Sequence, residues 1–496
     1  MPERKRVAVL ADSDTRWKWG ALTARRLVPD SASGPDPDQG MQLTGYLLRG
    51  RATPTARQLG EVGVRADRLS EVTCAEFLAE IERDRYDVIV LALVGGAVQA
   101  VLHGARALWP NPAKRPVFVT GYVGVVYEKL ADGLLLRHGA DLVLANSRHD
   151  AERFRAVYEG VGADAGAVTE TALPFLGGEP YEPVGNRAHT VVFAVQPSVP
   201  DSRADRAYLL ERAAAHARLH PDREVLIKLR SRPGEHTTHL EEQPYQRLAD
   251  RIPGGLPANC RLVYGNMGEV LDGTDLLVTV SSTAALESLH RSIPTAVLTD
   301  LGIREALGNH HFLGSGCLAS WDQLDAGLLP QGDPAWLAAQ GVRLAEPAAA
   351  SAAPGLTADG SAAPALGSAG SAAPGLAAQG LSLQASPAPA AHGQSAAGGD
   401  AYALARAKLA GLLERAELPA PEPYYTLTTA PRYLPGILGR QHLGPDGTPL
   451  PGAVRESAGE SRLRRWVRSH LREAARGAYR HGVQRVAPVI RRMGEL

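Results

Sequence analysis

The stretch from Thr274 to Thr299 constrains the fold of this chain more than any other. A short apolar, β-branched run ends in three consecutive hydroxyl residues, and a segment of good helix formers follows at once. Another apolar run follows an Ile-Pro pair, so the predicted order is strand, tight turn, helix, strand. This is the repeating unit of a parallel α/β sheet. An ordinary capped helix in such a sheet has the same local pattern, so any functional interpretation depends on the rest of the chain.

The three hydroxyl residues are Ser281, Ser282 and Thr283, and one of them is predicted to cap the helix. The first free N–H groups of the helix then point outward, an arrangement that suits phosphate. Glu287 lies one helical turn further on. On a cleft-facing surface its carboxylate would accept hydrogen bonds from a ribose, and the alternative is a surface ion pair with Arg291.

Two regions of the chain repeat this alternation of strands and helices. In residues 1–176 the predicted strands are 7–10, 88–93, 117–120 and 142–145, with a helical pattern over 74–85. In residues 188–330 they are 190–195, 224–229, 260–264, 276–280 and 295–298. We therefore predict an α/β protein with two doubly wound, Rossmann-like domains, joined by a hinge at Gly177 and Gly178. Ligands of such sheets bind beyond the carboxyl ends of the strands, here in the cleft between the two domains.

The remainder of the chain has a different composition. Residues 345–400 are rich in Ala, Gly, Ser and Pro, and a ten-residue unit is repeated three times, which predicts a disordered linker. Residues 401–496 contain a helical segment over 401–418 and a basic tail over 461–496, with ten arginines against two glutamates. An amphipathic basic helix with a tryptophan can lie on an anionic membrane surface, or pack as a solvated helix on the globular body. The sequence leaves both interpretations of the tail open.

Charge and cysteine content narrow the class of protein. Lys plus Arg equals Asp plus Glu, at 53 each, so no nucleic-acid partner is expected. Three distant cysteines, Cys74, Cys260 and Cys317, form no zinc or disulfide pattern and indicate a reducing compartment. The N-terminus passes from charged residues straight into a strand, unlike a signal peptide. We expect a cytoplasmic protein, with membrane association through the tail as an option.

Three phrases of the sequence resemble the GT-B glycosyltransferases, and more closely an uncharacterised bacterial family known only as "putative glycosyltransferases". They are the 281–284 hydroxyl turn with Glu287 and Ile293-Pro294, the strand and loop over 141–147, and the strand over 225–230 that ends in basic residues. In related polymerases of capsule and teichoic acid that strand runs into a His-Pro pair, whereas this chain has Arg230-Ser231-Arg232-Pro233. The resemblance covers about residues 7–329. It implies two facing domains, a nucleotide-sugar donor in the second and an acceptor in the first, with neither a metal nor another cofactor.

On the donor side, the resemblance implies that the departing diphosphate is stabilised by the hydroxyl turn and by basic side chains. Lys228 and Arg230 follow the strand in the same domain, and a solvated basic loop is the alternative interpretation. His236 lies in a loop with His239 and is predicted to contact phosphate or substrate. Two histidines without a clear third ligand make a metal site the weaker interpretation of that loop.

On the acceptor side, the loop after the first strand carries Asp12 and Asp14, either of which could take the acceptor proton, while the other caps the first helix. Glu128 is the second candidate for the base. Four residues are candidate acceptor contacts: Trp17, whose ring could stack on a sugar, Gly121, Tyr122 and Asn146.

The combined prediction is a transferase that moves a sugar from a nucleotide-activated donor to a hydroxyl group of an unidentified acceptor. If the tail binds membrane, the reaction would belong to the synthesis of a cell-surface glycan. The same fold would also suit a polyol-phosphate transferase or a nucleotide-sugar epimerase. A non-catalytic binding or scaffold protein is the alternative from another class. No GxGxxG fingerprint or P-loop lysine is present, which argues against dehydrogenases and kinases.

Overall fold

The computed structural model describes residues 4–29, 41–125, 130–183, 185–232, 235, 241, 243–344 and 400–453. Its strands are β1 (Lys5–Ala11), β2 (Met41–Leu48), β3 (Arg68–Val72), β4 (Val88–Ala92), β5 (Val117–Gly121), β6 (Leu142–Ala145), β7 (Val168–Glu170), β8 (His189–Ala194), β9 (Arg223–Lys228), β10 (Cys260–Val263), β11 (Leu276–Thr279), β12 (Thr295–Leu298) and β13 (Leu318–Ala319). Its α-helices are α1 (Asp14–Leu27), α2 (Ala56–Val62), α3 (Cys74–Arg83), α4 (Gly95–Leu108), α5 (Leu130–Leu135), α6 (Arg148–Gly160), α7 (Arg203–Leu219), α8 (Tyr245–Ala249), α9 (Met267–Leu271), α10 (Ala284–His290), α11 (Trp321–Asp325), α12 (Pro334–Ala339), α13 (Ala403–Leu413) and α14 (Leu434–Arg440). Among the described residues, no helix combines the length and the apolarity needed to cross a bilayer.

The strands form two parallel sheets. The first has seven strands in the order β3-β2-β1-β4-β5-β6-β7, and the second has six in the order β10-β9-β8-β11-β12-β13. In both sheets the second and third strands are added on one side of the first strand, and the later strands are added on its other side. The strand order therefore reverses between β1 and β4 and between β8 and β11, and these two positions are the switch points. The prediction of two doubly wound α/β units is confirmed. We call the first sheet with its covering helices, within 5–170 and 401–443, the N-lobe, and the second, within 189–342, the C-lobe.

The predicted strands are all present, and four further strands, β2, β3, β7 and β13, were not predicted. β2 has a glycine, Gly45, at its centre, a residue that usually weakens a strand. A Cβ atom at Gly45 would lie 2.6 Å from the Trp17 ring, so the glycine admits a tryptophan of α1 against the sheet. β3 is an edge strand with mostly polar residues, and β7 and β13 have only three and two residues.

The C-terminal part of the described chain returns to the N-lobe. α13 and the residue before it complete the core on one face of the first sheet, to which they contribute Tyr402, Ala405 and Leu409. α14 completes the core on the other face, to which it contributes Leu434, Ile437 and Leu438. The helix predicted over 401–418 is thus observed as α13, which ends earlier. Residues 345–399 of the predicted linker and the basic tail over 461–496 lie outside the described residues.

Candidate functional site

The two switch points of the sheets are each bridged by a side chain from a loop that follows a strand. In the N-lobe, the Asp12 carboxylate accepts a hydrogen bond from the Val94 N–H at 3.0 Å, which joins the loops after β1 and β4. In the C-lobe, the Ser281 N–H donates to the Gln196 side-chain oxygen at 3.0 Å, which joins the loops after β11 and β8. Predicted site residues therefore lie at the positions where open α/β sheets bind ligands.

The first helix is capped by neither of the predicted aspartates. Ser13 is its N-cap, with its hydroxyl accepting from the Arg16 N–H. A serine hydroxyl reaches the free N–H groups of the first turn without carrying a charge. Asp12 instead pairs with the Arg16 guanidinium at 2.9 Å, and Asp14 becomes the first residue of α1. Both carboxylates are thus available for contacts other than capping.

Asp14 forms an ion pair across the cleft with Arg230 of the C-lobe. The guanidinium donates to the Asp14 carboxylate at 2.7 Å and also contacts the Thr15 hydroxyl. Burial raises the pKa of Asp14, but the charge and hydrogen bond of Arg230 outweigh it and hold the pKa below its usual range. One predicted catalytic carboxylate and one predicted phosphate-binding cation are therefore in direct contact.

Lys228 ends β9 with its ammonium buried beside this pair. The side chain is only 6% exposed and donates to the Leu229 carbonyl at 2.8 Å. It makes no ion pair within 4.0 Å with any carboxylate of the described residues. Burial lowers the pKa of Lys228 to about 8, an effect that Glu61 opposes and Arg230 reinforces. A buried cation without a paired carboxylate, at the carboxyl edge of a parallel sheet, is a candidate binding site for an anion.

Glu287 faces the N-lobe and does not pair with Arg291. Its carboxylate lies 3.4 Å from the Lys18 ammonium of α1, and both side chains are largely buried. Burial raises the pKa of Glu287, an effect that Lys18 only partly offsets. Arg291 instead pairs with Asp272 at 2.5 Å and donates to the Gly177 carbonyl at 2.9 Å. The alternative surface pair with Arg291 is not observed, and the Glu287 carboxylate faces Lys18 of the N-lobe.

The three hydroxyl residues before α10 have different roles. Ser281 is buried and donates to the Leu307 carbonyl at 2.6 Å, so its hydroxyl is used within the C-lobe. Ser282 accepts from the Ala284 N–H at 3.2 Å, and Thr283 occupies the N-cap position of α10 without a capping bond from its own hydroxyl, so the predicted side-chain cap is not formed. The Thr283 hydroxyl lies 2.7 Å from where a Cβ atom on Gly124 of the N-lobe would be, so it faces the loop after β5.

Two predicted acceptor contacts are packing residues. Trp17 is wholly buried, and its indole N–H donates to the Val64 carbonyl at 3.3 Å. Gly121 ends β5 inside the core, where an added Cβ atom would lie 2.8 Å from the Leu144 carbonyl and 2.9 Å from Trp19. Neither residue reaches the cleft, because α1 turns its tryptophans onto the sheet. The sequence interpretation of both as acceptor contacts is corrected accordingly.

The other two predicted acceptor residues shape the loop after β5. The Asn146 amide donates to the Tyr122 carbonyl at 2.8 Å. The Arg137 guanidinium lies 4.0 Å from the Tyr122 ring centre, and it also donates to the carbonyls of Gly121 at 3.0 Å and Leu93 at 3.2 Å. Arg137 is 4% exposed, and no sequence motif marks it. Arg137 therefore joins the loops after β4 and β5 at the carboxyl edge of the first sheet.

Two predicted site residues, Glu128 and His236, lie outside the described residues. Three residues that the sequence interpretation missed contribute to the site. Lys18 follows Asp14 by one helical turn, a spacing that could have indicated a shared face. Gln196 follows β8, and the wholly buried Arg206 donates to its carbonyl at 3.0 Å.

One group of side chains within the described ranges has the spacing of metal ligands: His216, His220 and Asp325 offer donor atoms within 4.8 Å of one another. The His216 ring nitrogen lies 2.6 Å from the Asp325 carboxylate, which also pairs with Arg212 at 2.9 Å. His216 lies in the last turn of α7, a helix that begins at the cleft edge, so this group lies toward the opposite edge of the sheet. We assign it no part in the chemistry of the cleft.

Solved structures of low similarity include two UDP-GlcNAc 2-epimerases. The Neisseria meningitidis enzyme, solved with UDP-GlcNAc, is 9% identical with a TM-score of 0.42, over 68% of this chain and 94% of that one. The Methanocaldococcus jannaschii enzyme, solved with UDP-GlcNAc and UDP, is 10% identical with a TM-score of 0.42, over 68% and 97%. The spinosyn rhamnosyltransferase SpnG is 15% identical with a TM-score of 0.36, over 65% and 88%.

The search of curated proteins gave no significant match. A family model does match, over residues 7–354, which takes in both sheets and more than half of the chain. The chain belongs to the family described as "Putative glycosyltransferase (DUF6716)".

Proposed function

We propose that this protein transfers a sugar from a nucleotide-activated donor to an acceptor hydroxyl, with the donor diphosphate held in the C-lobe. The observation that carries the proposal is the buried Lys228 ammonium beside Arg230, at the carboxyl edge of the second sheet. Burying an ammonium without a carboxylate costs free energy, which an anionic ligand would recover. A leaving nucleoside diphosphate is such an anion, and membership of a glycosyltransferase family supports its choice over other anions.

The leaving group acquires negative charge as the bond between the sugar C1 and the phosphate oxygen breaks. Lys228 and Arg230 would stabilise that charge, and charge interactions at the buried Lys228 are stronger than in water. The half-buried hydroxyls of Ser282 and Thr283 lie beside the same edge and are proposed to donate to the phosphates. Glu287 is proposed to accept hydrogen bonds from the ribose, and the Lys18 ammonium favours the ionised form of its carboxylate. No step of this scheme is assigned to a metal.

Asp14 is proposed as the base that takes the acceptor proton while the acceptor oxygen forms its bond to C1. In the structure Arg230 holds the Asp14 pKa down, which makes the carboxylate a weak base. A diphosphate that attracts Arg230 would release Asp14, and burial would then raise its pKa. The base would thus strengthen only when donor is present. Asp12, the other aspartate predicted as a base, has both of its oxygens engaged within the N-lobe.

Water must be kept from the activated sugar, and further contacts between the lobes support a cleft that can close. Arg57 of α2 pairs with Glu235 of the C-lobe. The Asn266 amide of the C-lobe donates to the Glu61 carbonyl of α2 at 2.9 Å. On the connecting segment, Gly178 has a φ of 97°, which favours glycine. The hinge assigned to Gly177 and Gly178 remains part of the proposal.

The first test is thermal stabilisation of the purified protein by UDP, GDP, CDP, CMP, ADP and dTDP. A ligand at 100 times its Kd stabilises the folded state by about 2.7 kcal/mol, which shifts the melting temperature by several degrees. We expect one nucleoside diphosphate to do so. Lys228→Met should abolish the shift without unfolding the protein, because the side chain is already buried among the residues of the cleft.

Lys408→Met is the matched control. Lys408 is also partly buried, and burial also lowers its pKa, but it lies behind the N-lobe, where it donates to the Gly166 carbonyl at 3.1 Å. The control should respond to the nucleotide as the unmodified protein does. If none of the six nucleotides shifts the melting temperature at millimolar concentration, the protein is not a nucleotide-sugar transferase. Binding that survives in Lys228→Met would remove Lys228 from the donor site.

A further inference from the structure

The C-terminal segment that returns to the N-lobe runs along α4 toward the cleft. Arg106, near the carboxyl end of α4, donates to the Pro421 carbonyl at 3.0 Å, and Gln99, near its middle, donates to the Tyr425 carbonyl at 3.1 Å. Ile437 of α14 then lies 3.8 Å from the position of a Cβ atom on Gly96, at the amino end of α4. That end of α4 directly follows β4, so residues 425–437 approach the acceptor-side edge of the sheet.

A carboxylate of the neighbouring helix meets two tyrosines of this segment. Asp132 lies in the first turn of α5, the helix that follows β5. It accepts from the Tyr425 hydroxyl at 2.9 Å and from the Tyr433 hydroxyl at 3.3 Å. The carboxyl end of α5 packs near the start of α4, because Leu136, the residue after α5 and one turn beyond Asp132, lies 2.9 Å from where a Cβ atom on Gly95 would be. The group therefore lies near the amino end of α4, the helix that follows β4.

The tyrosines form a continuous surface, which we call the tyrosine rim: Asp132, Tyr424, Tyr425 and Tyr433. Ring centres of Tyr424 and Tyr425 are 5.4 Å apart, and those of Tyr425 and Tyr433 are 5.3 Å apart, each pair edge to face. Tyr433 is 44% exposed, so part of its ring surface is open to a ligand. Aromatic faces stack on the C–H faces of sugars, while phenol and carboxylate groups bond to sugar hydroxyls.

We propose that the tyrosine rim binds a carbohydrate acceptor and holds sugar units beyond the one that reacts. The inference rests on the proposed function and adds the chemical class of the acceptor. The rim belongs to the N-lobe, in which Asp12 and Asp14 directly follow the first strand. The rim lies at the same edge of the sheet as Val94, whose N–H donates to Asp12. Its three tyrosines lie beyond the 7–354 family match, so the aromatic part of this surface is supplied by the C-terminal segment.

The test is binding of maltohexaose, cellohexaose and chitohexaose to the full chain, measured by saturation-transfer NMR. At least one hexasaccharide should bind, and Tyr433→Ala should weaken it about five- to tenfold through loss of a stacking face. Tyr433→Phe keeps the ring and should keep most of the affinity. Tyr208→Ala is the matched control, because Tyr208 is 38% exposed and donates to Asp300 at 3.2 Å on the C-lobe.

The outcomes separate this inference from the proposed function. Thermal stabilisation of Tyr433→Ala by the nucleotide should match that of the unmodified protein, which also shows that the variant is folded. If no hexasaccharide binds, or if Tyr433→Ala binds it as well as Tyr208→Ala does, the rim only anchors the C-terminal segment and the inference fails. The protein could also bind an oligosaccharide through Tyr433 and bind no nucleotide. That result would contradict the transferase proposal and support the carbohydrate site.

Discussion

Replacing Asp14 by asparagine should tighten nucleotide binding while it abolishes sugar transfer. In the ligand-free protein the Asp14 carboxylate holds Arg230 at 2.7 Å, so a diphosphate must compete for that guanidinium. The Asp14 and Arg230 side chains are 12% and 31% exposed, which places the pair between the buried and surface regimes. The Coulomb energy of about 4 kcal/mol at an effective dielectric of 20 is mostly offset by solvation, which leaves about 1 to 1.5 kcal/mol. The Kd should therefore fall about five- to tenfold.

The assay is titration calorimetry with the nucleoside diphosphate that gives the largest thermal shift. Asp12→Asn is the matched control, since Asp12 lies in the same loop but pairs with Arg16. Removing either carboxylate lowers the negative charge near the ligand, so both variants share that general effect. Only Asp14→Asn also frees Arg230. Equal tightening in the two variants, or none in Asp14→Asn, would refute the competition between the carboxylate and the diphosphate.

Two further predictions concern pH and packing. The pKa of Lys228 in the ligand-free protein is about 8, so nucleotide affinity should fall as pH rises through about 8 to 9, with a proton taken up on binding there. Lys228→Arg should remove this fall in affinity, because a guanidinium stays charged over that pH range. Titration calorimetry of both proteins across the range, in two buffers, would measure it. A fall that persists in Lys228→Arg would show that another group is responsible. Gly121→Ala should cost about 1 to 3 kcal/mol in urea unfolding through contact with the Leu144 carbonyl, whereas Gly411→Ala, in open space on α13, should be neutral or slightly stabilising. Similar stability of the two variants would mean that Gly121 has free space around it, and its assignment as a packing residue would be wrong.

The fold was largely predictable because strands buried on both faces leave continuous apolar runs in the sequence. β4, with five buried residues, is an example. β2 could not be recognised in the same way. Its central Gly45 is explained only by the Trp17 ring that packs on it, a contact between residues 28 positions apart in the chain. The β-strand propensity of a residue carries no information about the side chain that packs on it in the folded protein.

The site was predictable where residues follow strands directly, and not where helices decide the direction of a side chain. Lys228 and Arg230 could be assigned to that edge because they lie at the carboxyl end of a strand. Trp17 was assigned wrongly, because residues of α1 face either the cleft or the sheet, and the sequence does not say which. The tyrosine rim could not be found either. Asp132 and Tyr433 are about 300 residues apart, and only the tertiary fold brings them together.

The return of the C-terminal segment to the N-lobe has a consequence for how the protein is made. The last strand of the first sheet is complete at Glu170, but α13 and α14, which close its two cores, begin at Ala403 and Leu434. At about 5 to 20 residues per second on the ribosome, the sheet waits roughly 10 to 50 seconds for the first of these helices. During that time the apolar side chains that α13 and α14 later cover, on the two faces of the first sheet, are exposed to solvent. The nascent chain is therefore a natural client for chaperones, and a version cut at the end of the family match would carry that exposure permanently.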